Sequence, residues 1–308
     1  MARRRYLLNR VTPQKPETLD RSAVFAALGA YFFWGFMPLF FKQLAGVPAL
    51  EIIAHRVIWA VPLLLIIMAA RSQLAEYRRA LMTWSTLRWM LLSSVLMSSN
   101  WLIYVWAVNR GDILSASLGY YFNPLLNIVV GTLFLNERLN RTQWIAVGIA
   151  GIAAAVLAAG ALGTLWISFS LGISFCIYGL VRKMAPIGSV PGLAVETTLL
   201  LPVALATAYH FTQDQGPLGW GSDSKITIFL VAGGVMTAIP LLLFATAARR
   251  MNYSVMGFFQ YIGPTIQFLI AVLVYREVLS TPRIIAFALI WSALAIFSWD
   301  GLRRMRAT

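Results

Sequence analysis

The sequence predicts an all-α membrane protein with ten transmembrane helices arranged as two inverted five-helix repeats. Of its 308 residues, 59% are hydrophobic and only 12% are charged, and the mean hydropathy is +0.74. Soluble domains carry about 25% charged residues, so this composition indicates a chain that lies in a bilayer. The repeat is predicted by a pattern in the first half that returns 140 positions later.

The repeat holds one register without gaps. The aligned pairs are Leu102 with Leu242, Ala107 with Ala247, Arg110 with Arg250, Tyr121 with Tyr261, Pro124 with Pro264, Glu137 with Glu277 and Leu139 with Leu279. The same offset aligns Lys42 with Arg182 and Pro62 with Pro202. We therefore predict a basic tail over residues 1–21, a first repeat over 22–160, a second repeat over 161–300 and a second basic tail over 301–308.

Ten segments are long and apolar enough to form spans, since a helix needs about 20 apolar residues to cross about 30 Å of hydrocarbon. They lie at 22–41, 50–70, 86–108, 113–135, 143–160, 164–181, 191–210, 226–247, 252–275 and 283–299. The boundary between the fifth and sixth spans depends on a turn at Gly160, Gly163 and Thr164, because no charge occurs from Thr142 to Val181. That length fits two spans and is too long for one.

The distribution of Lys and Arg predicts the orientation. Nineteen of these residues fall on one side of the membrane, and five fall on the other: Lys42, Arg110, Lys225, Arg276 and Arg283. Because positive residues resist translocation, both termini are predicted to be cytoplasmic. Each repeat has an odd number of spans, so the second repeat enters from the opposite side, as in many transporters.

Several other classes of protein are disfavoured. The net charge of +14 is explained by topology and does not require a nucleic-acid partner. Cys176 is the only cysteine, which excludes disulfides and cysteine metal clusters. We find no phosphate loop, zinc ligand set or serine-histidine triad, so the sequence predicts no cofactor, no metal and no enzyme activity.

Three motifs resemble the RarD branch of the drug/metabolite transporter superfamily, whose members carry duplicated EamA domains. They are AYFFWGFMPLFFK, EIIAHRVIWAVPLLL and ASLGYYFNPLLNIVVGTLFLNERL, and the resemblance covers nearly the whole chain after the basic tail. It implies a ten-helix carrier in the inner (plasma) membrane that exports small metabolites or drugs by alternating access.

Pro124 and Pro264 fall near the middle of the fourth and ninth spans. A proline inside a helix frees the carbonyl four residues earlier, here that of Tyr120 and of Gln260. Free carbonyls at membrane depth are tolerated against protein or a water-filled cavity. The two helices are therefore predicted to be broken around the substrate site, and an ordinary proline kink is the alternative.

Polar side chains recur on one face of both spans. A central polar-aromatic cavity is predicted from the substrate-binding candidates Trp34, Asn100, Trp101, Tyr104, Tyr120, Asn123, Asn127, Gln260 and Gln267. Amides and aromatic rings in such a cavity suit flat or cationic amphipathic solutes. The alternative is that these side chains only hold the helices together by hydrogen bonds.

Three ionisable residues inside spans are candidates for gating or coupling: His55, Arg56 and Glu196. Arg56 and Glu196 are predicted to lie near opposite mouths of the cavity, because inversion places them about 9 Å deep from opposite faces. His55 titrates most easily near neutral pH, but a structural pair with Glu51 is the alternative. Glu137 and Glu277 are expected to cap or bridge a neighbouring helix.

The sequence thus predicts a secondary transporter whose partners are a small-molecule substrate and the lipid bilayer. The alternatives are an uptake permease of the same fold, a non-transporting membrane sensor and an intramembrane enzyme. The two longest loops, 71–85 and 211–225, are short for a sensor. Oligomeric state is left open.

Overall fold

The computed structural model describes residues 20–109, 113–159, 163, 165–213, 219–276 and 281–306, and all regular structure in these ranges is helical. The helices are α1 Arg21–Lys42, α2 Ala49–Ala70, α3 Leu74–Met82, α4 Trp84–Asn109, α5 Ile113–Phe134, α6 Arg141–Ala158, α7 Leu165–Met184, α8 Ser189–Gln213, α9 Ser224–Arg250, α10 Tyr253–Gln260, α11 Ile262–Leu273 and α12 Thr281–Arg306. Residues 1–19, Arg110, Gly160, Thr164, Glu277 and Leu279, for which the sequence makes predictions, lie outside the described residues.

Each predicted span has a helix at its position, and the ninth is divided between α10 and α11. Among the described residues, six helices are long and apolar enough to cross a membrane: α1, α2, α6, α7, α8 and α9. A shorter apolar segment, Ile284–Asp300, lies within α12. The short α3 lies in the loop 71–85, where the sequence suggested no helix.

Local hydrogen bonds fix where several helices begin. Asn140 and Gln143 form a capping box at the start of α6, with bonds of 2.8 and 3.0 Å between each side chain and the other's backbone amide. Asp20 accepts a bond of 2.9 Å from the backbone amide of Ser22 at the start of α1, and the bonds from Ser22 lower the pKa of Asp20. The capping residues thus set the ends of the helices.

The two central prolines differ in effect. The helix that begins at Tyr253 is interrupted at Tyr261, three residues before Pro264. In contrast, α5 continues through Pro124 without interruption, so the break predicted there is absent. The carbonyl of Pro124 instead lies against Gly257 of α10, where a Cβ atom would come within 2.8 Å of it. At this position α5 is therefore a continuous helix that crosses α10 closely, whereas the sequence predicted a broken helix.

Small residues allow several close helix contacts. The α6 helix packs against α12 through buried alanines, Ala146, Ala150 and Ala153. A Cβ atom at Gly148 or Gly151 would meet nothing within 4 Å, so alanine rather than glycine makes the close packing of this helix.

Glu137 lies in the segment between α5 and α6 and caps another helix, as the sequence predicts. Its carboxylate accepts bonds of 2.6 and 2.8 Å from the backbone amides of Tyr253 and Ser254, the first residues of α10. A carboxylate at a helix N-terminus also interacts favourably with the helix dipole. Glu137 therefore ties the end of the fourth span to the start of the ninth.

Candidate functional site

Arg56 lies at the meeting point of four helices. Its Nε donates a bond of 2.7 Å to the Thr237 hydroxyl of α9. The guanidinium carbon lies 5.1 Å from the ring centre of Trp101 in α4 and 5.6 Å from that of Phe41 in α1. Both distances are within the range of cation-π attraction, which fixes the orientation of this charge.

Tyr104 and Tyr120 extend this group of side chains to α5. Their rings are 6.2 Å apart and meet edge to face, and both lie within electrostatic reach of Arg56. Their exposed fractions are 37% and 38%, and Arg56 is a half-buried residue of α2 that contacts α1, α4 and α9. Two part-exposed tyrosines thus lie near a charge that contacts three neighbouring helices. We call Arg56, Trp101, Tyr104 and Tyr120 the arginine-aromatic cluster.

The buried amides are engaged with neighbouring helices. Asn100 donates bonds of 2.9 Å to the Leu171 carbonyl and to the Ser174 hydroxyl, both in α7. Asn127 donates a bond of 2.8 Å to the Gln260 side chain, which links α5 to α10. Asn123 is buried beside this crossing, and its Oδ1 has no hydrogen-bond partner within the described chain.

Trp34 and Gln267 meet through the backbone. The Gln267 amide donates a bond of 3.0 Å to the Trp34 carbonyl, which links α11 to α1. The Trp34 ring packs among Tyr31, Phe175 and Phe244, with ring centres between 5.6 and 5.8 Å apart. This tryptophan thus joins α1 to α7 and α9 through aromatic contacts.

Glu196 forms a buried ion pair that the sequence did not suggest. Its carboxylate lies 3.1 Å from Nη1 of Arg182, and it also accepts bonds from the hydroxyls of Ser93 and Tyr178. Arg182 is only 2% exposed, although the sequence interpretation assigned it to a cytoplasmic loop. The 140-position offset pairs Arg182 with Lys42, but it gives no sign that Arg182 turns inwards.

His55 belongs to a separate group near the start of α2. Its Nε2 is 4.0 Å from the Glu51 carboxylate, as the predicted pair requires, and its ring stacks on Trp220 at 4.7 Å. Glu51 also accepts a bond of 2.8 Å from the backbone amide of Trp220. The group therefore fastens the segment 219–221 to α2.

The predicted site residues thus fall into distinct groups. The structure brings Arg56, Trp101, Tyr104 and Tyr120 together, and it adds Phe41 and Thr237, which the sequence did not single out. The amides lie at helix crossings, and Glu196 and His55 lie in groups of their own. Phe41 and Thr237 sit in apolar helices without a distinguishing pattern, so only the three-dimensional contacts identify them.

Comparison with known proteins places this chain in a family. Residues 21–159 match the model of the EamA-like transporter family. The chain is 43% identical to protein RarD of Salmonella typhi, over 93% of this chain and 97% of that protein. The chain belongs to the RarD branch of the EamA-like transporters. It is therefore a multi-pass membrane protein of a transporter family, and the resemblance seen in its motifs is confirmed.

Other relatives agree with this assignment. An uncharacterized transporter of Pseudomonas aeruginosa is 42% identical, over 91% of this chain and 94% of its own length. A solved crystal structure with 18% identity superposes with a TM-score of 0.71, covering 89% of this chain and 96% of the other. At that identity the likeness concerns the fold alone. This RarD-type chain thus has a helical architecture that also occurs in a crystallised protein.

Proposed function

We propose that this RarD-type chain is a secondary transporter of the inner membrane that exports small metabolites or drugs by alternating access. The observation that carries the proposal is the arginine-aromatic cluster, in which two part-exposed tyrosines lie within electrostatic reach of a charge that contacts three neighbouring helices. Binding groups of this kind in a cavity between helices are typical of ligand sites in bundles. The distribution of Lys and Arg supports a cytoplasmic position for both termini.

The packing pattern supports an arrangement of ten spans in two inverted repeats. In such a repeat, α1 corresponds to α7, and α4 corresponds to α9. The contact of α1 with α9 therefore has a counterpart in the contact of α7 with α4, and both contacts are present. Likewise, the contact of α5 with α7 becomes that of α11 with α1. The EamA match over 21–159 differs by one residue at each end from the first predicted repeat.

In this proposal, each group of side chains around the cavity has a different role in transport. The arginine-aromatic cluster contacts the solute, while Asn100, Asn127 and Gln260 hold the surrounding helices at their crossings. The Arg182 and Glu196 pair closes one mouth, and the segment tied to Glu51 closes the other. Transport then requires the two closures to open in turn.

A flux assay with two matched variants tests the proposal. In proteoliposomes loaded with a panel of labelled metabolites and drugs, Tyr104→Ala is expected to reduce flux of the transported solute more than about tenfold, because a ring that contacts the solute is lost. Tyr104→Phe keeps the ring and is expected to remain within about threefold of the wild type. The melting temperature of both variants should stay close to that of the wild type, since Tyr104 is 37% exposed.

The assay also contains a structural control and a test of direction. Asn127→Leu removes the bond to Gln260 and is expected to lower the melting temperature, unlike Tyr104→Ala. Efflux from right-side-out vesicles that exceeds uptake supports export. The proposal fails if no solute of the panel moves, or if Tyr104→Ala transports as well as the wild type.

A further inference from the structure

Arg56 is a charge inside a membrane-spanning helix for which the described chain offers no counterion. It lies seven residues after the start of α2 at Ala49, about 10 Å along the helix axis. Among the described residues, Glu196 forms an ion pair with Arg182, and Glu51 lies 4.0 Å from Nε2 of His55. Because charged side chains at membrane depth normally pair, the missing partner requires an explanation.

The contacts of Arg56 leave one edge of the guanidinium open. The Thr237 hydroxyl donates a bond of 2.8 Å to the Gly233 carbonyl, so its oxygen is available to accept the bond from Nε. Trp101 and Phe41 then fix the guanidinium through cation-π contacts. Nη1 and Nη2 have no acceptor among the described residues, and these two nitrogens form the edge that binds a carboxylate through two parallel bonds.

Comparison of the two halves of the chain shows that the first half lacks a carboxylate that the second half has. The 140-position offset aligns Arg56 with Glu196 and Lys42 with Arg182. In the second half these positions form the buried ion pair. In the first half both positions carry cations, and Nζ of Lys42 lies 4.2 Å from the ring centre of Tyr275. Arg56 therefore occupies the position that the carboxylate holds in the second half, so the first half has two cations and no anion at these two positions.

The residue that lies beside each of these two charges also differs between the two halves. Ser93 donates its hydroxyl to Glu196 and corresponds to Gly233, which lies beside Arg56. A Cβ atom at Gly233 would come within 3.1 Å of Cγ of Arg56. The glycine therefore leaves the room that the arginine stem needs to extend towards Trp101.

The carboxylates of the described chain that lie near helix ends and crossings are already engaged. Glu51 accepts from the Trp220 amide, Glu137 caps α10, and Glu196 pairs with Arg182. Among the described residues, the surroundings of Arg56 therefore offer a cation to a solute, and these three carboxylates are engaged elsewhere. This charge favours an anionic group on the solute, in contrast to the cationic solutes that the sequence suggested.

We propose that the transported solute carries a carboxylate that docks on Nη1 and Nη2 of Arg56, while a planar apolar part of the same solute lies against Trp101, Tyr104 and Tyr120. The proposal depends on the proposed transport function and adds the chemical class of the substrate. A small organic acid or a zwitterion with a flat side group fits this site. A neutral molecule of the same shape leaves the guanidinium without a partner and binds more weakly.

Matched acid and amide pairs test this substrate class. Purified protein in detergent is screened by thermal shift against benzoate and benzamide, phenylacetate and phenylacetamide, and L-phenylalanine and L-phenylalaninamide. We expect at least one acid to raise the melting temperature of the wild type more than its amide does, since a ligand that binds the native state stabilises it. The same acid should bind more than about tenfold more weakly to Arg56→Gln, because the charge-assisted pair is lost.

Three further variants keep the test independent of folding defects. Arg56→Lys keeps the charge but not the planar fork, and we expect an affinity between those of the wild type and Arg56→Gln. Thr237→Ala removes the hydrogen bond that orients Nε of Arg56. It should weaken binding of the acid without affecting binding of the amide. Lys42→Gln removes a cation that is engaged elsewhere and should bind the acid as the wild type does.

The outcomes separate this proposal from the transport function. The carboxylate proposal is overturned if no acid of the panel binds, if the amides bind as well as the acids, or if Arg56→Gln binds the acids normally. Flux of a neutral solute that is lost in Tyr104→Ala but kept in Arg56→Gln overturns the carboxylate class and leaves the transport function standing. Absence of flux for every solute by the wild type would overturn both.

Discussion

Replacing Glu196 with leucine is expected to lower the free energy of unfolding by about 3–5 kcal/mol, because the change breaks a buried ion pair. Arg182 is 2% exposed and lies 3.1 Å from the carboxylate, so the variant leaves an uncompensated charge in the interior. The hydroxyls of Ser93 and Tyr178 would lose their acceptor as well. Reversible denaturation of the purified protein in detergent measures this loss.

The double variant Glu196→Leu with Arg182→Met is the matched control. A buried ion pair that is replaced by apolar residues of similar volume is often neutral or stabilising, so most of the lost stability should return. If Glu196→Leu alone unfolds at the denaturant concentration of the wild type, the pair is not buried as described. If the double variant is folded but fails to transport, the pair also serves as a closure.

Replacing Gly234 with alanine is expected to destabilise the protein by about 2–3 kcal/mol, since overpacking against rigid atoms forces the backbones apart. A Cβ atom at Gly234 of α9 would lie 2.6 Å from the carbonyl oxygen of Trp59 and 2.7 Å from the nitrogen of Ala60, both in α2. These are backbone atoms, so no side-chain rotation relieves the clash. The same denaturation experiment detects the change.

Gly151→Ala in α6 provides the control for helix propensity. Its Cβ atom would meet nothing within 4 Å, so alanine should leave stability unchanged or raise it by up to about 1 kcal/mol. The two substitutions are chemically identical and are expected to differ in sign. Equal melting temperatures for the two variants would show that α2 and α9 do not approach as closely as described.

The helices were predictable from sequence because each span must satisfy its backbone hydrogen bonds within itself. A run of about 20 apolar residues therefore identifies a helix with little help from its neighbours. The role of Glu137 as a helix cap was also predictable, since an acidic residue between two spans has few other partners. The short α3 was not, because its nine residues are mixed in polarity and are held by contacts with α8.

The site was predictable only in part. Spacing identified Tyr104, Tyr120 and Arg56 as unusual residues for a span, but it did not show that they meet, because they come from α2, α4 and α5. The pairing of Glu196 with Arg182 was missed since the two residues lie on different helices, 14 positions apart. Arg182 follows an apolar run, which made a loop position the simplest interpretation. Of the two effects expected of Pro124, the helix break is absent because α5 continues through it, and the close crossing with α10 is not visible in a single helix pattern.

The most direct test of alternating access is thiol labelling of Tyr104→Cys and Tyr120→Cys from each side of the membrane. Cys176 is the only native cysteine and is 2% exposed, so the wild type should label weakly. In right-side-out and inside-out vesicles treated with a membrane-impermeant maleimide, we expect both engineered thiols to react from both sides. Saturating solute should shift the balance between the two sides. Labelling from neither side, or from one side under every condition, would contradict a central cavity that opens alternately to the two faces.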